Sequence, residues 1–158
     1  MKKLFLSLIT LTLISIGANA QTEKGTALLG GSIGLQTSSG YTVFTLNPNL
    51  GIFVVNNVAV GAEVDVTTTS GFTTWAIGPY LKPYFGKTTN GKFFAKGSFL
   101  VGGATGEDTQ VGVGIGAGYA IFLNRSIAIE LLAQYQKFGN GTDGVFGINI
   151  GFQIHLKK

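Results

Sequence analysis

The chain has 158 residues, no cysteine, 25 glycines and only 11% charged side chains, against roughly 25% in an ordinary soluble domain. Without cysteine it can form no disulfide frame, lipidated N-terminus or thiolate metal site. A formal charge of +4 with no basic stretch gives no footprint for nucleic acid, and no helix-length apolar segment follows residue 20.

Residues 1–20 have the organisation of an export signal. Lys2 and Lys3 form a basic start, and residues 4–16 are an uncharged apolar run. Gly17-Ala18-Asn19-Ala20 then supplies the small-x-small site that a signal peptidase requires. Ala18 and Ala20 are its recognition positions, with cleavage expected after Ala20. The apolar run falls short of the about 20 residues of a comfortable spanning helix, which argues against an uncleaved anchor. Removing this segment leaves residues 21–158 as one domain, with nine basic and seven acidic side chains and a formal charge of +2.

From about Thr26 onward the hydrophobic pattern has a period of two and little helical periodicity. Eight strands are predicted, over 26–35, 41–54, 58–67, 73–85, 92–103, 110–123, 127–137 and 145–156. Asn56-Asn57, Thr89-Asn90-Gly91 and Asn124-Arg125-Ser126 form a tight set of connections. A second set, at 37–40, 68–71, 106–108 and 139–143, alternates with it as in a meander. An N-terminus delivered from the periplasm would make the tight set periplasmic and the second set extracellular. Each outer connection is a handful of small polar residues, little surface for a receptor or adhesin, which commonly uses about 800 Å² per partner.

Successive strand residues point to opposite faces, so each predicted strand divides into two sides. The third sets Val58, Val60, Ala62, Val64 and Val66 against Gly61, Glu63 and Asp65. The fourth sets Trp75, Ile77, Leu81 and Phe85, with Pro79 and Pro83, against Gly78, Tyr80, Lys82 and Tyr84. The sixth sets Val111, Val113, Ile115 and Ile121 against a run of glycines from Gly112 to Gly118. The seventh sets Ile129, Leu131 and Tyr135 against Glu130, Gln134 and Gln136, and the eighth sets Ile148, Ile150 and Phe152 against Asn149, Gln153 and His155. Glu63, Asp65, Lys82, Lys96 and Glu130, the mid-strand charges, all fall on the polar side. A charge on the lipid side of a barrel at the midplane costs roughly 2–4 kcal/mol, so this sorting is what a bilayer imposes. A soluble sandwich would cover its polar face with Lys and Glu, and a lipocalin-type barrel would be apolar inside and polar outside. Only a closed barrel leaves no strand edge unpaired in hydrocarbon. The expected fold is therefore all-β, an eight-stranded antiparallel up-and-down transmembrane barrel preceded by a cleavable signal peptide.

An eight-stranded barrel has an interior just wide enough to be filled by side chains. Glu63, Asp65, Lys82, Lys96 and Glu130 are expected to form a lumenal ion-pair and hydrogen-bond network with Tyr80, Tyr84, Gln134 and Gln153. That network either plugs the barrel or marks a narrow path for ions or protons. The glycines of the sixth strand are expected to receive large side chains from opposite strands or to permit curvature. Pro79 and Pro83 each remove a ladder donor, and the fourth strand is read as a strand with bulges. Phe44, Trp75, Phe85, Phe93, Tyr119, Tyr135 and Phe152 either form interfacial girdles or serve as general lipid-facing bulk. His155, the single histidine, faces inward by phase and has no nucleophile in a Ser-x-His pattern facing lipid. The Gly112-x-Gly114-x-Gly116-x-Gly118 run lacks the strand-then-helix context of a nucleotide site. Glu63 and Asp65 lie two apart on one face, but no further ligand in sequence joins them as a metal site. No cofactor is expected.

Two segments carry a family likeness: residues 48–61, around the Asn56-Asn57 turn, and the final strand, Asn149-Ile150-Gly151-Phe152-Gln153-Ile154-His155-Leu156. On these the chain resembles the small eight-stranded outer-membrane β-barrel family, the group that includes outer-membrane proteins of the A and X types, over nearly all of its mature length. The terminal strand is similar to the signal read by the barrel-assembly machinery, with Asn149, Gly151, Ile154 and Leu156 at the matching positions. Lys157 and Lys158 follow where many relatives end on an aromatic residue. The resemblance implies a non-enzymatic, porin-like structural protein of the Gram-negative outer membrane, with both termini periplasmic. Its partners would be outer-membrane lipid and, during biogenesis, the assembly machinery, and it would be a monomer. A narrow ion or small-solute channel is the alternative, and an enzyme acting on outer-membrane lipid is a third reading.

Overall fold

A computed structural model describes residues 22–38, 41–69, 72–88, 90–104, 108–139 and 143–157. Eight strands follow one another: β1 (Ala27–Ser38), β2 (Tyr41–Val55), β3 (Val58–Thr69), β4 (Phe72–Phe85), β5 (Gly91–Ala104), β6 (Gln110–Phe122), β7 (Ile127–Phe138) and β8 (Val145–Leu156). Each pairs antiparallel with its neighbour in sequence, and β1 pairs with β8 from Ala27 opposite Leu156 to Thr37 opposite Phe146, which closes the barrel. Closure leaves no edge, so the sheet pairs its own backbone all the way round. The first and last described residues, Thr22 and Lys157, lie at one end, together with the connections at 56–57, 86–90 and 123–126.

Every strand boundary lies within three residues of the expected one. The exceptions in kind are at the far end, where β1 runs on to Ser38 and β3 to Thr69. The connections there are therefore residues 39–40 and 70–71, shorter than the expected 37–40 and 68–71. β-branched threonines explain this, since Thr67 and Thr68 fit a pleated surface as well as a turn.

The prolines interrupt ladders without bulging them, a correction to the expectation for β4. The β3–β4 register runs unbroken from Val58 opposite Pro83 to Thr69 opposite Phe72. On the β5 side the pairing keeps one register and skips Gly78-Pro79 and Lys82-Pro83. Pro48 of β2 has the same effect: its β1 pairing is continuous and the β3 ladder skips it. A proline lacks one N–H, so it removes a bond toward one neighbour and leaves the other ladder whole. The one register shift falls instead between Phe53 and Val55, beside the tight turn. There Val54 and Val55 are both exposed, and Asn57 takes the left-handed conformation (φ 65°) that asparagine tolerates.

The alternation read from sequence is the alternation of exposure. Leu50, Ile77, Leu81, Phe99, Ile115, Leu131 and Ile150 are about half exposed or more on the outside, while the residues that alternate with them are buried or half-buried on the lumenal side. All seven aromatic residues expected on the exterior are there. A wall of exposed Ile, Leu, Val and Phe around a closed barrel is far larger than a soluble protein tolerates and is what hydrocarbon requires.

Candidate functional site: the barrel lumen

The lumen has two levels, each built by inward side chains of several strands. Toward the end with the termini, Leu28, Phe53, Ala59, Tyr84, Phe94, Ala120, Phe122, Ala128 and Leu132 form one apolar cluster. Phe53 and Tyr84 rings lie 5.5 Å apart, and those of Tyr84 and Phe94 lie 5.6 Å apart. His155 belongs to this layer, stacked on Phe53 at 5.9 Å and edge-on to Phe122 at 5.3 Å. Glycine makes such packing possible in so narrow a tube. A Cβ at Gly118 would collide with the Phe94 ring, and one at Gly61 would meet Tyr80 Cζ at 2.6 Å. The sixth-strand glycines therefore do receive the large side chains of their neighbours.

Beyond this layer the lumen turns polar. Lys82 Nζ donates to Glu130 Oε2 at 2.5 Å, and the Tyr84 hydroxyl donates to Glu130 Oε1 at 2.7 Å. The Lys82 ammonium also lies 4.5 Å from the centre of the Phe94 ring, a cation–π contact. A second group is built around Glu63, which pairs with Lys96 and accepts from Asn47 Nδ2 at 3.1 Å. Asn47 also donates to Asp65, whose other oxygen accepts from Gln136 Nε2 at 2.8 Å. Gln153 Nε2 donates to Asn49 Oδ1 at 3.0 Å. Side chains of both ion pairs are more than nine-tenths buried. At such burial each charge needs its partner, since desolvation costs several kcal/mol per ion.

All nine residues expected in the lumen point into it, but as two hydrogen-bonded groups and a separate amide pair. Lys82, Tyr84 and Glu130 form one group, and Glu63, Asp65 and Lys96 belong to the other. Tyr80 enters through its ring, 5.8 Å below the Lys96 ammonium, and Gln134 is buried on the same inner face. Gln136 of β7, placed on the polar side of its strand by the sequence pattern, joins the second group as well, whereas Asn47 and Asn49 of β2 were not singled out from sequence. Their signal is the alternation Thr45, Asn47, Asn49, which Pro48 obscures. Between the groups lies a cavity of about 20 Å³, lined by Asn49, Glu63, Tyr80, Lys82, Glu130 and Gln153 among others, enough for a single water.

Among the described residues no group of three or more His, Cys, Asp and Glu converges to hold a metal ion. Asn149 and Gly151 face the lumen, while Ile154 and Leu156 face outward. Ala18 and Ala20 lie outside the described residues.

No family model and no curated protein matches the sequence. The fold, however, has many counterparts among solved structures. Neisserial surface protein A is similar over 82% of this chain and 95% of its own, with a TM-score of 0.67 at 14% identity. The outer membrane protein OprG of Pseudomonas aeruginosa is similar over 90% of this chain and all of its own (TM-score 0.64, 10% identity). The outer membrane enzyme PagL is similar over 80% of this chain and 98% of its own (TM-score 0.51, 14% identity). The chain thus has the fold of the eight-stranded outer-membrane β-barrels. Because that fold carries an enzyme as well as other proteins, function has to be argued from the site.

Proposed function

We propose that the protein is a non-enzymatic structural barrel of the Gram-negative outer membrane, contributing to membrane integrity with a closed lumen. One observation carries this reading: an apolar layer around Phe53, Phe94 and Phe122 fills one level of the lumen, and paired charges fill the next. Ions crossing the barrel would have to displace packed rings and break buried ion pairs. His155 supports the non-enzymatic part, because a lipid hydrolase needs its base open to the lipid side, and this ring is held between Phe53 and Phe122. The same reading takes the chain as a monomer bathed in outer-membrane lipid. It assigns Asn149, Gly151, Ile154 and Leu156 of β8 to recognition by the assembly machinery.

Planar-bilayer recording tests the closed lumen. The wild-type protein is expected to give no reproducible conductance steps at moderate voltage. Steps that disappear in Lys82→Met or Glu130→Gln would overturn this reading in favour of a narrow ion channel.

A further inference from the structure

The charges outside the lumen are sorted by end. Among the described residues, the end with the termini carries Lys24, Lys87, Lys92, Arg125 and Lys157 against the single acid Glu23. The opposite end carries Asp108 and Asp143 against Lys137. Lys92 turns into the barrel mouth, donating to Thr22 Oγ1 at 2.7 Å and Asn57 Oδ1 at 2.6 Å. Lys157 pairs with Glu23. Lys24, Lys87 and Arg125 are exposed around the rim.

Their placement relative to the apolar wall identifies what they face. Phe85 is 54% exposed and lies two residues before Lys87, and Leu123 is 56% exposed and lies two before Arg125. Leu156 directly precedes Lys157, and the Lys24 amide donates to Asn56 Oδ1, beside exposed Val54 and Val55. Each cation therefore stands one step past the last outward apolar side chain. In a bilayer that step runs from acyl chain to phosphate, the level to which long basic side chains extend. Aromatic residues mark the same level: Phe85 is opposite Phe93, and Phe93 packs edge-on against Tyr119 with centroids 4.8 Å apart. Gly91 leaves room for the Tyr119 hydroxyl, which any Cβ there would strike. A soluble acidic polymer could also be attracted to this charge, but it gives no reason for the cations to follow the edge of the apolar band.

We infer that this rim binds the acidic headgroups of phospholipids in the leaflet at the end with the termini, with Lys24, Lys87 and Arg125 facing the phosphates. The inference rests on reading the chain as a membrane barrel, which in the orientation with periplasmic termini makes this the inner leaflet.

Spin-label spectroscopy separates the inference from its premise. The refolded protein in phosphatidylcholine bilayers is probed with trace spin-labelled phosphatidylglycerol or spin-labelled phosphatidylcholine. A motionally restricted component from both labels reports an inserted barrel. Phosphatidylglycerol is expected to be preferred about five-fold, the effect of engaging about one cation, and the preference should shrink in molar salt. It should fall to near unity in the Lys24→Gln/Lys87→Gln/Arg125→Gln variant, whose folding is checked by its migration on unheated gels. Equal association of both labels with the wild type, or an undiminished preference in the variant, would overturn the inference. So would charge-dependent binding to peptidoglycan fragments without any lipid preference. Absence of a restricted component from either label would remove the membrane-barrel reading itself.

Discussion

Lys82 sits between Leu81 and Pro83 and has its ammonium buried against Glu130, the Phe94 ring and the Tyr84 ring. It is legible in sequence as a charge on the polar side of a strand, because the bilayer forbids the other side. Its partner is not legible, since Glu130 is 48 residues away and reaches it only through closure of the barrel. Lys82→Met should leave the Glu130 carboxylate buried and unpaired, at a cost of about 3–5 kcal/mol. Replacing both residues, as Lys82→Met/Glu130→Leu, should recover most of that loss, because two desolvated charges are removed together. Urea unfolding of the barrel in vesicles reads both values. An unchanged midpoint in the single variant would contradict the buried pair.

At the scale of the strand, alternation was readable only where the two faces differ. In β3, β7 and β8 the inner face is polar and the outer apolar, so the period of two assigned each side chain correctly. At the end with the termini, both faces are apolar. Leu28-Leu29, Ile52-Phe53-Val54-Val55, Phe93-Phe94 and Ile121-Phe122-Leu123 carry no alternation to read. The lumenal plug of Phe53, Phe94 and Phe122 was hidden for that reason. Pro48 hid Asn47 and Asn49 similarly, because a proline inside a run argues against a regular strand while costing only one ladder bond. The faces themselves can be tested on β6. Ile115 is 68% exposed in mid-strand, so Ile115→Arg should destabilise the barrel in a bilayer by about 2–4 kcal/mol. The same change at Leu123, at the rim, should cost about 0–1 kcal/mol. Vesicle-based unfolding of the two variants checks the difference, and equal penalties would show that Ile115 does not face lipid.

The whole molecule is defined by closure, and closure explains why so few charges suffice. The exterior needs none in its apolar band, the lumen holds two ion pairs and an Asp65 carboxylate bound by amide donors, and the remaining ionic groups gather at the two rims. Composition and alternation carried the barrel and its strand count, since no other all-β arrangement satisfies its backbone in hydrocarbon. They could not carry function, because the fold serves proteins of different activity, among them the outer membrane enzyme PagL. The most direct test of a closed barrel in the outer membrane is membrane fractionation followed by gel migration of unheated and boiled samples in detergent. The protein is expected in the outer-membrane fraction, with a band that shifts on boiling as the barrel opens. A soluble periplasmic protein with no heat shift would contradict it.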